Sequence, residues 1–304
     1  MKRMRMYGEA FRLLLFCFIA VLLFSSSHSQ GHALGYQKSF LWKVESKSAT
    51  VYILGSLHAL KREMYPLPAK MEDAFSKSDV LVVEANINDL PPEGIFGMLE
   101  GALYAGNEGL ESHLSKETYE IAKTRLNRFG MPIEFFDKSK PWFLALMITA
   151  LEMQRLGFDP EYGIDNHFLK RAAGRKRIIE LESVTYQMNL LSTLSERDQE
   201  SFLLYSLRDL DILAREMDTM TKVWNTGDAD ALESIVSRGA QEDPRIIPIY
   251  ENLIYKRNTT MASRIEGFVK TGGRYFVVVG AGHLVGKKGI IELLKRRGYF
   301  VEQQ

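Results

Sequence analysis

Two histidines in this chain share one local context. Val51-Tyr-Ile-Leu-Gly-Ser-Leu-His58 is an apolar run, a glycine, two further residues and a histidine. Tyr275-Phe-Val-Val-Val-Gly-Ala-Gly-His283 repeats that pattern near the other end. Two more apolar runs finish on a carboxylate, Asp79-Val-Leu-Val-Val-Glu84 and Arg177-Ile-Ile-Glu-Leu-Glu182. Imidazole nitrogen and carboxylate oxygen together suit a divalent first-row metal such as Mn, Co, Fe or Zn. Such an ion polarises a carbonyl and acidifies a bound water, which is hydrolytic chemistry. His58, Glu84, Glu182 and His283 are therefore the candidate metal ligands. One histidine after a strand is most often structural; the duplicated glycine-x-x-histidine context sets this pair apart. Glu180 competes with Glu182, because residues two apart share a strand face.

Two polar residues interrupt an apolar stripe. Between Arg245 and Thr271, Ile246, Tyr250, Leu253, Ile254, Met261, Ile265 and Phe268 recur at helical spacing. Arg257 and Asn258 fall inside that stripe. A charge facing the core is costly unless paired. Arg257 thus orients a carboxylate, stabilises a developing oxyanion, or forms a structural ion pair, and Asn258 is placed to donate a hydrogen bond. With His58, Glu84 and His283 they complete the candidate catalytic set. Asn258-Thr-Thr260 also matches a glycosylation acceptor, weakly, since the site is mid-helix. Other histidines carry less weight: His28 and His32 near the amino terminus, His113 in a loop region, and His167 near a helix start. Asp165, two residues before His167, reads as a helix cap.

The four apolar runs meet only if they are neighbouring strands of one sheet. Phe40–Glu45 and Thr50–Leu54 are predicted strands joined by a hairpin through Ser46-Lys-Ser48. A helix over Pro68–Lys77 leads into the run ending at Glu84, whose unbroken apolarity suggests burial on both faces. Strand, helix, strand in that order implies a parallel crossover. Further strands are expected over Arg177–Glu182, Tyr275–Val279 and Tyr299–Glu302. Helices are expected over Ser115–Phe129, Trp142–Leu156, Tyr162–Ala172, Thr185–Thr193, Glu196–Met217, Asp228–Val236, Arg245–Thr271 and Lys287–Arg297. Residues 86–140 are less regular, with Pro91-Pro92 marking a loop. The fold class is α/β (α+β): a central mixed, largely parallel sheet flanked by helices, with a large helical insertion. In open α/β sheets ligands bind beyond the carboxyl ends of the strands, where these imidazoles and carboxylates would converge.

The amino terminus has a different character. Lys2, Arg3, Arg5 and Arg12 precede the unbroken apolar run Leu13–Phe24, and small polar residues follow. Basic, apolar, then small is the layout of a secretory signal peptide over residues 1–30. An uncleaved anchor is the alternative, although the run is shorter than the ~20 residues of a bilayer span. The expected mature chain is a single domain over 38–304, exported to the periplasm or the extracellular space. Cys17, the sole cysteine, leaves with the leader, so disulfides, a cysteine nucleophile and thiolate ligation are not expected. The 304 residues are 46% hydrophobic with net charge +1, and no basic stripe suggests nucleic acid. Trp142–Leu156 is interrupted by Glu152, Gln154 and Arg155 and reads as a buried helix.

Other chemistries compete. Gly280-Ala-Gly-His-Leu-Val-Gly286 lies between a strand and a helix, with Glu302 about 20 residues on, as in a dinucleotide-binding turn. Its spacing is one residue off and His283 occupies the turn. Ser56 lacks the G-x-S-x-G elbow of a serine hydrolase. A module that captures peptides without cutting would use the same cleft. In order, Gly55-Ser-Leu-His58, Val82-Val-Glu84, Tyr162-Gly-Ile-Asp165, Leu181-Glu182 with Gln187, Arg257-Asn258 and Gly280-Ala-Gly-His283 resemble the TraB/PrgY/GumN family, related to the Tiki proteases. That resemblance spans residues 38–302. It implies a metal-dependent peptidase-like fold, a Mn, Co or Zn ion held by the two G-x-x-H turns and a strand-end Glu, and a peptide or protein substrate. Ser56 stands where the first motif commonly has Thr, keeping the hydroxyl. The carboxyl-terminal membrane helix of the Tiki proteins has no counterpart here, so their signalling role is not carried over. The expectation is an exported metallopeptidase, with a non-catalytic peptide-binding protein of the same fold as the alternative.

Overall fold

The computed structural model describes residues 38–86 and 92–304. The expected signal peptide and most of the tether, with His28, His32 and Cys17, lie outside the described residues. Leu41–Glu45 (β1) and Ala49–Ser56 (β2) form the expected hairpin. Ser46 closes it, its N–H reaching the Ala49 carbonyl and its hydroxyl accepting from the Ala49 N–H. Val80–Val83 (β3), Arg177–Glu180 (β4), Gly273–Gly280 (β5) and Val301–Gln303 (β6) complete one six-stranded mixed sheet in the order β4-β3-β5-β2-β1-β6. The four strands from β4 to β2 are parallel, and β1 is antiparallel to both its neighbours. β3 is buried at every position, as its unbroken apolar sequence requires.

Helices cover the sheet and supply the insertion. They are Ala69–Lys77 (α1), Pro92–Ala102 (α2), Lys116–Asn127 (α3), Pro141–Arg155 (α4), Ile164–Ala172 (α5), Val184–Ser192 (α6) and Glu196–Asp209 (α7). Leu213–Asn225 (α8), Ala229–Glu242 (α9), Ile247–Tyr250 (α10), Lys256–Thr271 (α11), Ala281–Leu284 (α12) and Ile290–Arg296 (α13) follow. α4 is buried along most of its length, and no helix among the described residues is long and apolar enough to cross a membrane. Ser115 caps α3 as expected, accepting from the Thr118 N–H.

One topological choice assembles the site. β2, α1 and β3 are consecutive in sequence, yet β5 lies between the two strands. Leu54 of β2 and Val83 of β3 both face Val278, and Ser56 faces Gly280. Both G-x-x-H turns and the Glu84 strand end therefore leave the sheet side by side at its carboxyl edge.

Several local expectations change. The helix expected over Glu196–Met217 is two, α7 and α8, separated at Leu210–Ile212 without a glycine or proline. In the break, Asp211 accepts from Arg125 and Arg128 of the α3 region, a tertiary contact that helical periodicity does not show. The long helix from Arg245 is interrupted by a π turn at Glu251–Tyr255, where the Lys256 N–H bonds five residues back to Glu251. π turns of this kind tend to mark functional positions. Of the expected loop at Pro91-Pro92, Pro91 lies outside the described residues and Pro92 begins α2, where a missing N–H costs little. Asp165 is not a cap; Gly163 precedes α5 without a side-chain cap.

Two glycines carry opposite expectations. A Cβ on Gly163 would lie 2.2 Å from the His58 carbonyl oxygen, a backbone atom that cannot swing away. A Cβ on Gly267, inside α11, would meet nothing within 4 Å. Gly163→Ala should lower unfolding stability by about 1–3 kcal/mol or more, as overpacking does. Gly267→Ala should raise it by about 0.5–1 kcal/mol through helix propensity. Urea titration of both variants checks the pair of signs.

Candidate functional site

The carboxyl edge of the sheet holds a buried ion cluster. Arg257 is fully buried between Glu84 and Glu182. Its Nη2 donates to Glu84 Oε2 at 2.6 Å and lies 2.8 Å from Glu182 Oε2, while Nε donates to Glu182 at 2.9 Å. Nη1 donates to the Leu253 carbonyl within the π turn at 2.9 Å. Gln187 adds an amide donor 3.2 Å from each carboxylate. Glu84 Oε1 accepts from the Gly280 backbone N–H at 2.5 Å. Glu84 thus joins three elements: its own β3, the end of β5 and the helix carrying Arg257.

The two histidines have matching arrangements built from different partners. His58 Nδ1 lies 2.7 Å from Asp165 Oδ2, and the other Asp165 oxygen accepts from Ser56 Oγ at 3.0 Å. His283 Nδ1 lies 2.6 Å from Asn258 Oδ1. The Asn258 amide nitrogen donates to the Lys288 carbonyl at 2.9 Å. That bond fixes which way the amide points: its oxygen must face His283, so the His283 proton sits on Nδ1. The Nε2 atoms of both rings are buried with no hydrogen-bond partner.

Electrostatics separates the two rings. Burial is the main influence on His283 and, with Arg257 and His58 nearby, takes its pKa down to about 3 despite Glu84. Its Nε2 is therefore a lone pair at neutral pH. Burial also opposes charge on His58, but the Asp165 carboxylate and Glu84 outweigh it and the pKa rises. Burial alone would raise the Glu84 carboxyl; neighbouring positive charge and the Gly280 N–H reverse this and hold it at about 2. Because His283 is neutral over most of the pH range, the permanent charge of Arg257 is the partner that keeps Glu84 ionised.

Donor chemistry fits a divalent ion. The His283 Nε2 lies beside the buried, ionised Glu84, whose charge also reaches His58, and each ring is held through its Nδ1, the arrangement that supports metal-bound histidines. His283 Nε2 is 3.8 Å from Glu84 Oε1. Two donors each about 2 Å from one ion lie within about 4 Å of one another, so this separation is compatible with sharing it. Among the described residues no three His, Cys, Asp or Glu side chains already form a ligand group. Glu182 is turned to Arg257 and Gln187. Glu180 is exposed and accepts from the Asn86 N–H, because β4 ends there and the two-residue alternation stops before Glu182.

Of the residues singled out from sequence, His58, Glu84, Glu182, Arg257, Asn258 and His283 all fall in this region. Asp165 was assigned a capping role that it does not have. Its signal was the short Tyr162-Gly-Ile-Asp motif rather than any helical pattern. His167 pairs with Glu72 at 2.8 Å and His113 stacks on Tyr104, both away from this cluster.

Comparison with known proteins places the chain in a family. Residues 40–303 match the TraB/PrgY/gumN family, and the chain belongs to it. It is 28% identical to the uncharacterized protein YbaP of Escherichia coli, over 80% of this chain and 87% of that one. It is 22% identical to an uncharacterized protein of Treponema pallidum, over 98% and 94%. Metalloprotease TIKI1 of Danio rerio is 24% identical over 87% of this chain, which spans 63% of that protein. No solved structure matches the chain.

Arg257→Met should destabilise the protein by about 3–5 kcal/mol, because it leaves two carboxylates buried without their counter-charge; urea unfolding measures it. His283 gives an acid signature. Its folded pKa near 3 lies below the ordinary 6.5, so its stabilising contribution is complete above pH 6.5 and is lost as pH falls towards 3. The slope is at most about 1.4 kcal/mol per pH unit. His58, with a raised pKa, acts above 6.5 and so in a separate window. His283→Gln should therefore lose less stability between pH 6.5 and 4 than the parent protein does.

Proposed function

We propose that this protein is an exported metal-dependent hydrolase that cuts peptide bonds, with His58, His283 and Glu84 holding the ion. The observation that carries the reading is the buried His283 Nε2, without a hydrogen-bond partner beside an ionised Glu84, with the equally unpartnered His58 Nε2 on the neighbouring turn. When bound, Mn, Co or Zn would polarise a substrate carbonyl and acidify a water. Asp165 holds the Nδ1 proton of His58 and raises the basicity of Nε2. Asn258 does the corresponding work for His283 without adding charge. Glu84, with a carboxyl near 2, is too weak a base to carry a proton at neutral pH and acts as an anionic ligand. Glu182 and Gln187 hold Arg257, which keeps Glu84 ionised. Arg257 is in this reading an anchor and Asn258 a positioning residue, rather than transition-state donors. Export rests on the basic, apolar, then small sequence of residues 1–33.

Elemental analysis of the purified protein, together with a peptide digest under Mn, Co and Zn, tests the proposal. His58→Ala and His283→Ala should each abolish metal binding and cleavage while circular dichroism stays unchanged. Asp165→Asn and Asn258→Ala should weaken metal affinity by roughly 10–100-fold. Full metal binding in both histidine variants would sink the site assignment; metal binding without any cleavage would leave a peptide-capturing protein.

A further inference from the structure

A cavity of about 370 Å³ opens in the helical insertion, between the end of α3, the end of α4 and the break between α7 and α8. That volume falls within the roughly 300–1,000 Å³ of small-ligand clefts. None of the residues assigned to the candidate metal site lines it. Its walls carry three guanidinium groups, Arg125, Arg128 and Arg155, and two carboxylates, Glu152 and Asp211. Phe129, Leu210 and Ala214 supply its apolar lining.

The ion pairs in this cavity leave donors over. Arg125 meets both oxygens of Asp211 through Nη1 and Nη2, and Arg128 reaches the same carboxylate through Nη1. These two arginines hold the Asp211 carboxyl at about 2, so it stays ionised. Arg155 meets Glu152 through Nε and Nη2. Among the described residues, Nε and Nη2 of Arg128 and Nη1 of Arg155 bond to nothing. The side chains of Arg128 and Arg155 are 60% and 61% exposed, whereas those of Arg125 and Glu152 are 12% and 10% exposed. Two guanidinium groups with uncommitted donors thus stand open to solvent on largely buried anchors. Three positive charges against two negative ones leave the lining at a net +1.

We infer that this cavity is a second binding site, for a monoanionic carboxylate that carries an apolar group. The carboxyl end of a peptide finishing on an apolar residue has this chemistry, and so does a free arylalkanoic acid. One carboxylate brings the lining to neutrality, whereas a phosphate dianion overshoots it. The planar fork of a guanidinium also matches a carboxylate through paired N–H donors. Phe129, Leu210 and Ala214 then offer the attached group a surface out of water. The site does not depend on the hydrolase reading, because it shares no residue with it.

Isothermal titration calorimetry on the full chain, stripped of metal with EDTA and dialysed into low salt, tests the inference. Hydrocinnamate should bind at least about tenfold more tightly than hydrocinnamamide, which keeps the outline without the charge. It should also bind more tightly than acetate, which lacks the apolar body, and than inorganic phosphate. Acetyl-Gly-Phe with a free carboxylate, titrated against hydrocinnamate, tells a peptide end from a free acid as the better source. The double variant Arg128→Gln, Arg155→Gln should weaken hydrocinnamate by at least about tenfold, with circular dichroism confirming the fold. Ala214→Phe, which fills the cavity and removes no charge, should weaken it as well. Acid and amide binding alike, phosphate or acetate binding more tightly, or either variant binding like the parent overturns the inference. Peptide cleavage succeeds or fails independently of these titrations, which contain no metal.

Discussion

Arg257 is fully buried between two carboxylates, and the candidate site is arranged around that fact. One guanidinium serves two carboxyl groups, Glu84 and Glu182, in a region that solvates charge poorly. Further donors offset this: the Gln187 amide lies between the carboxylates and the Gly280 N–H meets Glu84. Burying such a cluster costs more than an apolar core of the same volume would. What it supplies is a carboxylate that stays ionised at depth, held at a fixed place on the strand edge. The π turn before Arg257 belongs to the same arrangement, because the Leu253 carbonyl in it receives the third edge of the guanidinium.

The two histidines show one geometry reached with two chemistries. Each is gripped at Nδ1 and leaves Nε2 bare, one by an aspartate and the other by an asparagine. The charge difference matters. A carboxylate raises the basicity of His58, whereas the amide leaves burial free to hold His283 neutral. Adding a second aspartate would place a further negative charge beside Glu84. The asparagine orients its ring without that penalty.

The insertion also has a structural logic. The turns and Glu84 leave the carboxyl edge of the sheet, and the helices return to it with the side chains that orient them. α8 is tied to the first turn through Trp224, whose Nε1 donates to the Gly55 carbonyl. The sheet edge supplies the two turns and Glu84, and the helices supply Asp165, Gln187, Arg257 and Asn258, which hold them.

Much was legible from residue order alone. The duplicated turn, the strand-end carboxylates, the α/β class and the polar interruption at Arg257-Asn258 are all local patterns, and periodicity and residue type report local patterns faithfully. Tertiary structure decided what those residues do. Only the insertion of β5 between β2 and β3 brings Gly280 beside Glu84, because strand order depends on which edges pair and not on chain order. Only the fold shows that Asp165 serves His58 instead of capping its own helix, since its partner is over a hundred residues away. Glu182 and Glu180 could not be ranked by alternation, because the strand ends between them. The break between α7 and α8, where Asp211 pairs with arginines of the α3 region, is likewise invisible to periodicity. Short-range preferences wrote the elements; strand pairing and contacts distant in sequence decided how they meet.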